Sequence, residues 1–349
     1  MILAVKKLRI PAARALALVP IVVMTLVCAA VPVRAQKKGT QLEKPLAGPR
    51  ATALRVTWLY VAADLDSQKV DRVQIGREMV VAEKSGSWMR VYANTDIEEL
   101  RNKDTPLIGS DETPPPVSGW MQAKGVVEET TPNGDQLLMG AAANQEAEAS
   151  DPRGPVNAAQ SARLLYRRLA EMFPNSPLAP DAQWRAADIE WQIEKADAST
   201  LRSAKEKDAY MREQMDEDEL RKVIKMNPRT RWADLAAFDL IDNKLCGDWQ
   251  GLVQCPEKES EIYEKYADEH PDGPRTAQAL YQAVYRQAVL KDMFADSGDD
   301  KKSESAKNHA HELAAKLKEH FGTTDYAFRA GALVYKLDEG IPVYGIGQE

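Results

Sequence analysis

The stretch Tyr166-Arg167-Arg168-Leu169-Ala170-Glu171-Met172-Phe173-Pro174, continued by Asn175-Ser176-Pro177-Leu178-Ala179-Pro180-Asp181-Ala182, decides how the second half of this chain is read. An amphipathic run meets a proline, and an alanine follows eight residues later. The same spacing recurs as Pro228 with Ala236 and Pro271 with Ala279, and in a weaker form as Gly322 with Ala330. Proline cannot continue a helix without losing a backbone hydrogen bond, so a helix must end near each stop. Ser176, Thr230, Gly273 and Thr324 stand two residues later as N-caps, and Pro177 and Pro274 suit the first position of a new helix. Ala179, Ala233, Thr276 and Ala327 precede the shared alanine by three, and Ala186, Leu240, Ala283 and Val334 follow it by four. These positions share one helix face, and its small members admit the larger Leu169, Val223, Tyr266 and Leu317 of the preceding helix. The spacing therefore predicts four helical hairpins over residues 157–340. The stops lie 54, 43 and 51 residues apart, so insertions separate the units. A charged first helix over about Thr200 to Lys225 and a loop from Cys246 to Cys255 absorb them.

This pattern resembles the tetratricopeptide-like repeats of bacterial envelope proteins, in particular the group of the outer-membrane assembly lipoprotein BamD and the Tol–Pal coordinator. The resemblance implies a scaffold that holds protein segments. Residues 51–128 differ in character, with short β-rich runs at Leu54–Val61, Met79–Ala82 and Trp88–Tyr92 and a turn at Lys84-Ser85-Gly86-Ser87. Leu54-Arg55-Val56, Ser67-Gln68-Lys69-Val70, Gly76, Ser85-Gly86-Ser87-Trp88-Met89-Arg90-Val91, Gly119-Trp120-Met121 and a last strand at Gly125-Val126-Val127 resemble a bacterial SH3 (SH3b) domain. That family implies a small all-β barrel and contact with cell-wall peptide. Strand alternation puts Trp88, Arg90 and Tyr92 on one face and Met89 with Val91 on the other, inward one. Trp58, Tyr60, Trp88, Tyr92 and Trp120 are the ligand-contact candidates, with the barrel core as their other role. Tyr166, Trp184, Trp191, Tyr263, Tyr281 and Tyr285 read as packing between repeats. Residues 94–118, where the family has a short turn, form an acidic insert containing Pro114-Pro115-Pro116. Residues 129–156, without sustained periodicity, read as an interdomain linker, and 341–349 as a tail.

Residues 1–35 read as an export signal, with Lys6, Lys7, Arg9 and Arg14 before an apolar stretch from Ala15 to Val33 and a small residue at Ala35. The alternative is an uncleaved membrane anchor. Either places the bulk in the periplasm or cell envelope. Thr25-Leu26-Val27 before Cys28 is no lipidation box. Residues 36–50 form a basic, flexible leader. Cys246 and Cys255 then read as a disulfide clip, worth ~2.7 kcal/mol for a loop of about ten residues.

The 349 residues carry 46 Lys and Arg against 53 Asp and Glu. The net charge falls from −7 to −12 once the five bases of the signal are removed, which argues against nucleic acid as a partner. Four His and three Cys leave little for metal or thiol chemistry. His311-Glu312-Leu313-Ala314-Ala315 begins like a zinc-protease helix but has Ala315 where the second ligand belongs, and His309 and His320 lie on other turns. Asp216-Glu217-Asp218-Glu219 and Asp299-Asp300 read as solvated charge, and Gly340 with Gly345-Ile346-Gly347 lacks the helix a phosphate cradle needs. No cofactor is expected. The sequence thus points to a non-enzymatic, exported multidomain protein: a small all-β SH3-like barrel followed by all-α tetratricopeptide-like hairpins. Its expected partners are an envelope protein or peptide and, through the barrel, peptidoglycan. The competing reading is an accessory subunit of a cell-wall hydrolase, or such an enzyme itself.

Overall fold

The computed structural model describes residues 48–96 and 117–344. The export signal, most of the leader, most of the acidic insert and the last glycines lie outside the described residues. An antiparallel sheet comes first and helices follow. The strands are β1 (Arg50–Ala53), β2 (Thr57–Tyr60), β3 (Lys69–Val73), β4 (Glu78–Ser85), β5 (Trp88–Ala93), β6 (Val117–Gln122) and β7 (Val126–Glu128). Their order is β3-β2-β6-β5-β4-β1-β7, so the sheet is open, with β3 and β7 as its ends. This corrects the expected barrel, whose closure would need hydrogen bonds between those two strands. Alternation fills the inner face as expected: Met89 and Val91 point inward with Ala51, Leu59, Val73, Met79, Val81 and Met121 into one core. The β4–β5 hairpin turns where Lys84 to Ser87 predicts it, and Gly86 there takes the left-handed conformation at φ 58°.

Nine α-helices follow among the described residues: α1 (Gly134–Ala149), α2 (Ala158–Met172), α3 (Ala179–Ser199), α4 (Asp218–Met226), α5 (Arg231–Asp239), α6 (Gln254–Glu269), α7 (Thr276–Asp296), α8 (Asp300–Phe321) and α9 (Asp325–Asp338). Each predicted stop separates two helices. At the three prolines the preceding residues Phe173, Asn227 and His270 share one backbone conformation, with φ near −125° and ψ near 56°. In each the N–H donates to the carbonyl four residues back, on Leu169, Val223 and Tyr266. Proline disfavours the α conformation before it, and at these three helix ends the shared geometry is the result. Gly322 has no such constraint and stays right-handed helical. The shared alanines Ala182, Ala236, Ala279 and Ala330 are at most 1% exposed, and each shares a core cluster with its buried partner Leu169, Val223, Tyr266 or Leu317. The large-on-small interlock therefore exists at all four hairpins.

Four local expectations are corrected. Thr230 and Thr324 cap α5 and α9 through their side chains, but α3 and α7 begin at Ala179 and Thr276, later than Ser176 and Gly273 predict. Pro177 and Pro274 therefore lie outside the helices, in the turns that precede them. Ser176 instead accepts from the Leu178 N–H and donates to Asp135 of α1 at 2.6 Å. The charged helix expected from Thr200 is α-helical only from Asp218, with short 3-10 turns at Arg202–Lys205 and Ala209–Met211 before it. Before it runs an irregular segment pinned by Asn243, which accepts from the Met215 N–H and donates to the Met215 carbonyl. The span 129–156 is not a bare linker, since α1 lies within it.

The stripe of α1 is narrow, with Gly134, Leu138 and Ala142 its buried positions, yet Leu138 and Ala142 join Val127, Leu165, Tyr166 and Leu169 in a common core. Sheet and helices are also joined by charge. Arg168 of α2, 1% exposed, donates to Glu78 of β4 at 2.8 Å and to Asp96 at 3.2 Å. Arg77 and Arg50 approach the same two carboxylates at 3.7 and 3.3 Å, and Thr95 donates to Glu78. Close approach of α2 requires Gly76, where a side chain would sit 2.6 Å from the Leu164 Cβ. The start of the tail is docked as well, since the Val343 and Tyr344 N–H groups donate to Asp292.

Candidate functional site

Helices α1 and α2 pack on the outer side of β7 and β1 and on Glu78 at the start of β4, and the aromatic candidates stand on the outer side of β2, β5 and β6. Leu59, Met89 and Met121 face the core, so Trp58, Tyr60, Trp88, Tyr92 and Trp120 all point outward. Strand register aligns them. Tyr60 pairs with Trp120, Trp120 with Arg90, Trp88 with Gln122 and Tyr92 with Ser118. Tyr60 and Trp88 meet edge to face with ring centroids 5.7 Å apart. Trp58, 40% exposed, has the Lys69 ammonium 4.7 Å and the Arg72 guanidinium 5.3 Å from its ring. All five predicted residues therefore lie on one surface, although Tyr60 is itself buried beneath its neighbours.

The helical half holds a second surface that sequence reading did not single out. A groove of about 400 Å³ runs between α2, α3 and α4, where the first hairpin meets the second. Ala170, Ala179, Ala186 and Ala187 give it an apolar lining, the exposed Met226 stands at its edge, and Arg163, Glu190, Glu219 and Lys222 are charged groups along it. Arg163 pairs with Glu190 at 2.7 Å across α2 and α3. Asn227 donates to Gln183 at 2.9 Å and locks the second hairpin to the first. The sequence signal for this groove was the run of small residues on α3, read only as packing for α2.

A third, polar cavity of about 300 Å³ lies among α3, α5, α6 and α7, lined by Gln192, Lys195, Asp239, Asp242, Tyr263 and Arg275. Burial pushes the Asp239 carboxyl up to about 7, and the nearby Asp188 charge adds to the shift, against the Trp184 indole N–H that donates to it at 3.3 Å. Lys195 is paired with Asp242 at 2.7 Å.

Three of the four histidines have carboxylate partners. His309 bonds Glu264, His311 bonds Asp338 and His270 bonds Asp234, at 2.8 to 3.0 Å. Asp299 caps α8 by accepting from the Lys302 N–H, and Glu217 pairs with Arg221. Cys246 and Cys255 are bonded, with sulfurs 2.12 Å apart. That bond is compatible with an oxidising, exported location, and no helix of the described residues is long and apolar enough to cross a membrane. The loop between the cysteines packs Trp249 near Tyr285 and Tyr344, and Trp249 donates to Glu259. Two helical aromatic pairs join the second helices of neighbouring hairpins, Trp184 stacked on Trp232 and Tyr281 against Tyr326, and Tyr166 donates to Glu146 of α1 at 2.6 Å.

No protein-family model matches this chain, and no curated protein matches it. The solved structure titled "DHF79 filament" is similar over 57% of this chain and 95% of its own, at 14% identity and a TM-score of 0.21.

Proposed function

We propose that this protein is an exported, non-enzymatic adaptor of the cell envelope. Its helical hairpins hold an extended protein segment, and the aromatic face of the sheet meets the cell wall. The observation that carries this reading is the groove between the first two hairpins. Its small side chains admit apolar anchors of a bound chain, and Glu219 and Lys222, an exposed and loose pair at 3.7 Å, can turn to charges beside those anchors. A volume of about 400 Å³ accepts side chains of a segment rather than a folded domain. The tetratricopeptide-like and SH3b-like patterns of the sequence agree with this division of labour.

The test is selection of a displayed peptide library on the mature protein, followed by titration of the enriched peptides. Enriched peptides should bind the native chain and lose affinity for Ala170→Trp, which fills the groove, and for Met226→Asp, which charges the exposed edge of the groove. They should bind Trp58→Ala normally. Enrichment of no peptide, or binding indifferent to both groove variants, overturns the reading.

A further inference from the structure

The ligand class of the sheet face can be taken further, resting on its reading as the wall contact. Register places Lys69, Tyr60, Trp120, Arg90 and Glu83 in one row across β3, β2, β6, β5 and β4. At about 4.8 Å per strand the row spans roughly 19 Å. Trp58 with Arg72 and Trp88 both stand on one flank of it, beside Gln122, and Tyr92 stands on the other. Aromatic rings thus succeed one another at strand spacing, flanked by cations. On the outward positions of these strands Lys69, Arg72 and Arg90 outnumber Glu83, in a chain whose net charge is −7.

A peptide is poorly served by such a surface. Strands β2, β6 and β5 lie between neighbours, so a peptide backbone finds an open strand edge only at β3, to one side of the Trp120 ring. A sugar ring needs none. It can lay its C–H face on an aromatic ring and keep its hydroxyls in water at the rim. The cations then select for acidic groups along the polymer, with Arg72 and Arg90 able to take a carboxylate through two N–H donors. We propose that the outer face of β3, β2, β6 and β5 binds a carboxylate-bearing polysaccharide, with Trp58 and Trp120 as stacking platforms and Lys69, Arg72 and Arg90 as the acid-binding groups.

The experiment titrates the full mature chain with sodium polygalacturonate, neutral dextran and poly-L-glutamate, read by tryptophan fluorescence and co-sedimentation, with purified peptidoglycan in parallel. Polygalacturonate should bind, weaken with added salt, and lose about tenfold in affinity on Trp58→Ala and again on Arg90→Gln, both exposed positions. Ala170→Trp should bind it as the native chain does. Equal binding of dextran removes the acid selectivity and overturns the inference. Equal binding of poly-L-glutamate overturns it in favour of an acidic peptide. If peptidoglycan binds and polygalacturonate does not, the acidic-glycan inference fails and the wall-contact reading stands; if neither binds, both fail.

Discussion

Replacing Arg168 by methionine should be the most damaging single change between the sheet and the helices. Its guanidinium is 1% exposed and serves two carboxylates of the β half, Glu78 at 2.8 Å and Asp96 at 3.2 Å, together with Glu171 of its own helix. Methionine fills most of the volume but leaves Glu78 and Asp96 in an environment with little water. Removing one partner of a buried pair costs about 3–5 kcal/mol. Arg77 and Arg50 still reach Asp96 and Glu78, at 3.7 and 3.3 Å, and Arg50 is half exposed. The expected loss is therefore at the lower end, about 3 kcal/mol. Urea unfolding followed by circular dichroism and tryptophan fluorescence measures it. Adding Glu78→Gln and Asp96→Asn removes the stranded charges, so the triple variant should recover more than half of the loss. A loss under about 1 kcal/mol for Arg168→Met would put the cluster among weak surface pairs and refute this account of the junction. A triple variant no more stable than the single one would refute the charge argument.

Three further outcomes follow from the same structure. Ala279→Leu, at a fully buried shared alanine, should destabilise by about 1–3 kcal/mol in thermal unfolding, whereas Ala332→Leu on the exposed side of α9 should stay within about 0.5 kcal/mol. Equal effects would deny the large-on-small interlock. Reducing the Cys246–Cys255 bond should lower stability by about 2–3 kcal/mol, compared by calorimetry with and without reductant. Because the Asp239 carboxyl is raised from 3.8 to about 7, the folded state binds its proton more tightly than the unfolded state. Its contribution is full below pH ~4 and is lost as pH rises through 7. Asp239→Asn should flatten that part of the stability profile, and an unchanged slope between pH 4 and 7 would count against the buried carboxyl.

The helical half was legible because its signals are covalent and local. At the three stops the proline disfavours the α conformation in the residue that ends the helix, so Phe173, Asn227 and His270 adopt the same geometry despite different side chains. Strand alternation likewise sorted Met89 and Val91 from Trp88 and Tyr92, because a side-chain period of two leaves a single choice of inward face. Features set by distant contacts were not legible. The buried stripe of α1 is too thin to show periodicity and becomes a helix face only against Leu165 and Tyr166 of α2. The segment before α4 is charged and helix-compatible, yet Asn243, 28 residues away from Met215, holds its backbone in another shape. Whether a sheet closes depends on the pairing of its first and last members, and no residue of β3 or β7 announces that. The groove needs three helices to exist, so its floor could be read only as packing.

The adaptor reading is tested most directly by photo-crosslinking in the native envelope, with a photoreactive residue placed at Ala170, at Met226 and, as a control, at the exposed Lys301 of α8. The account predicts that the first two positions capture the same segment of one partner protein and that Lys301 does not. Capture of unrelated segments by the two groove positions, or equal capture of the same segment by Lys301, would contradict it.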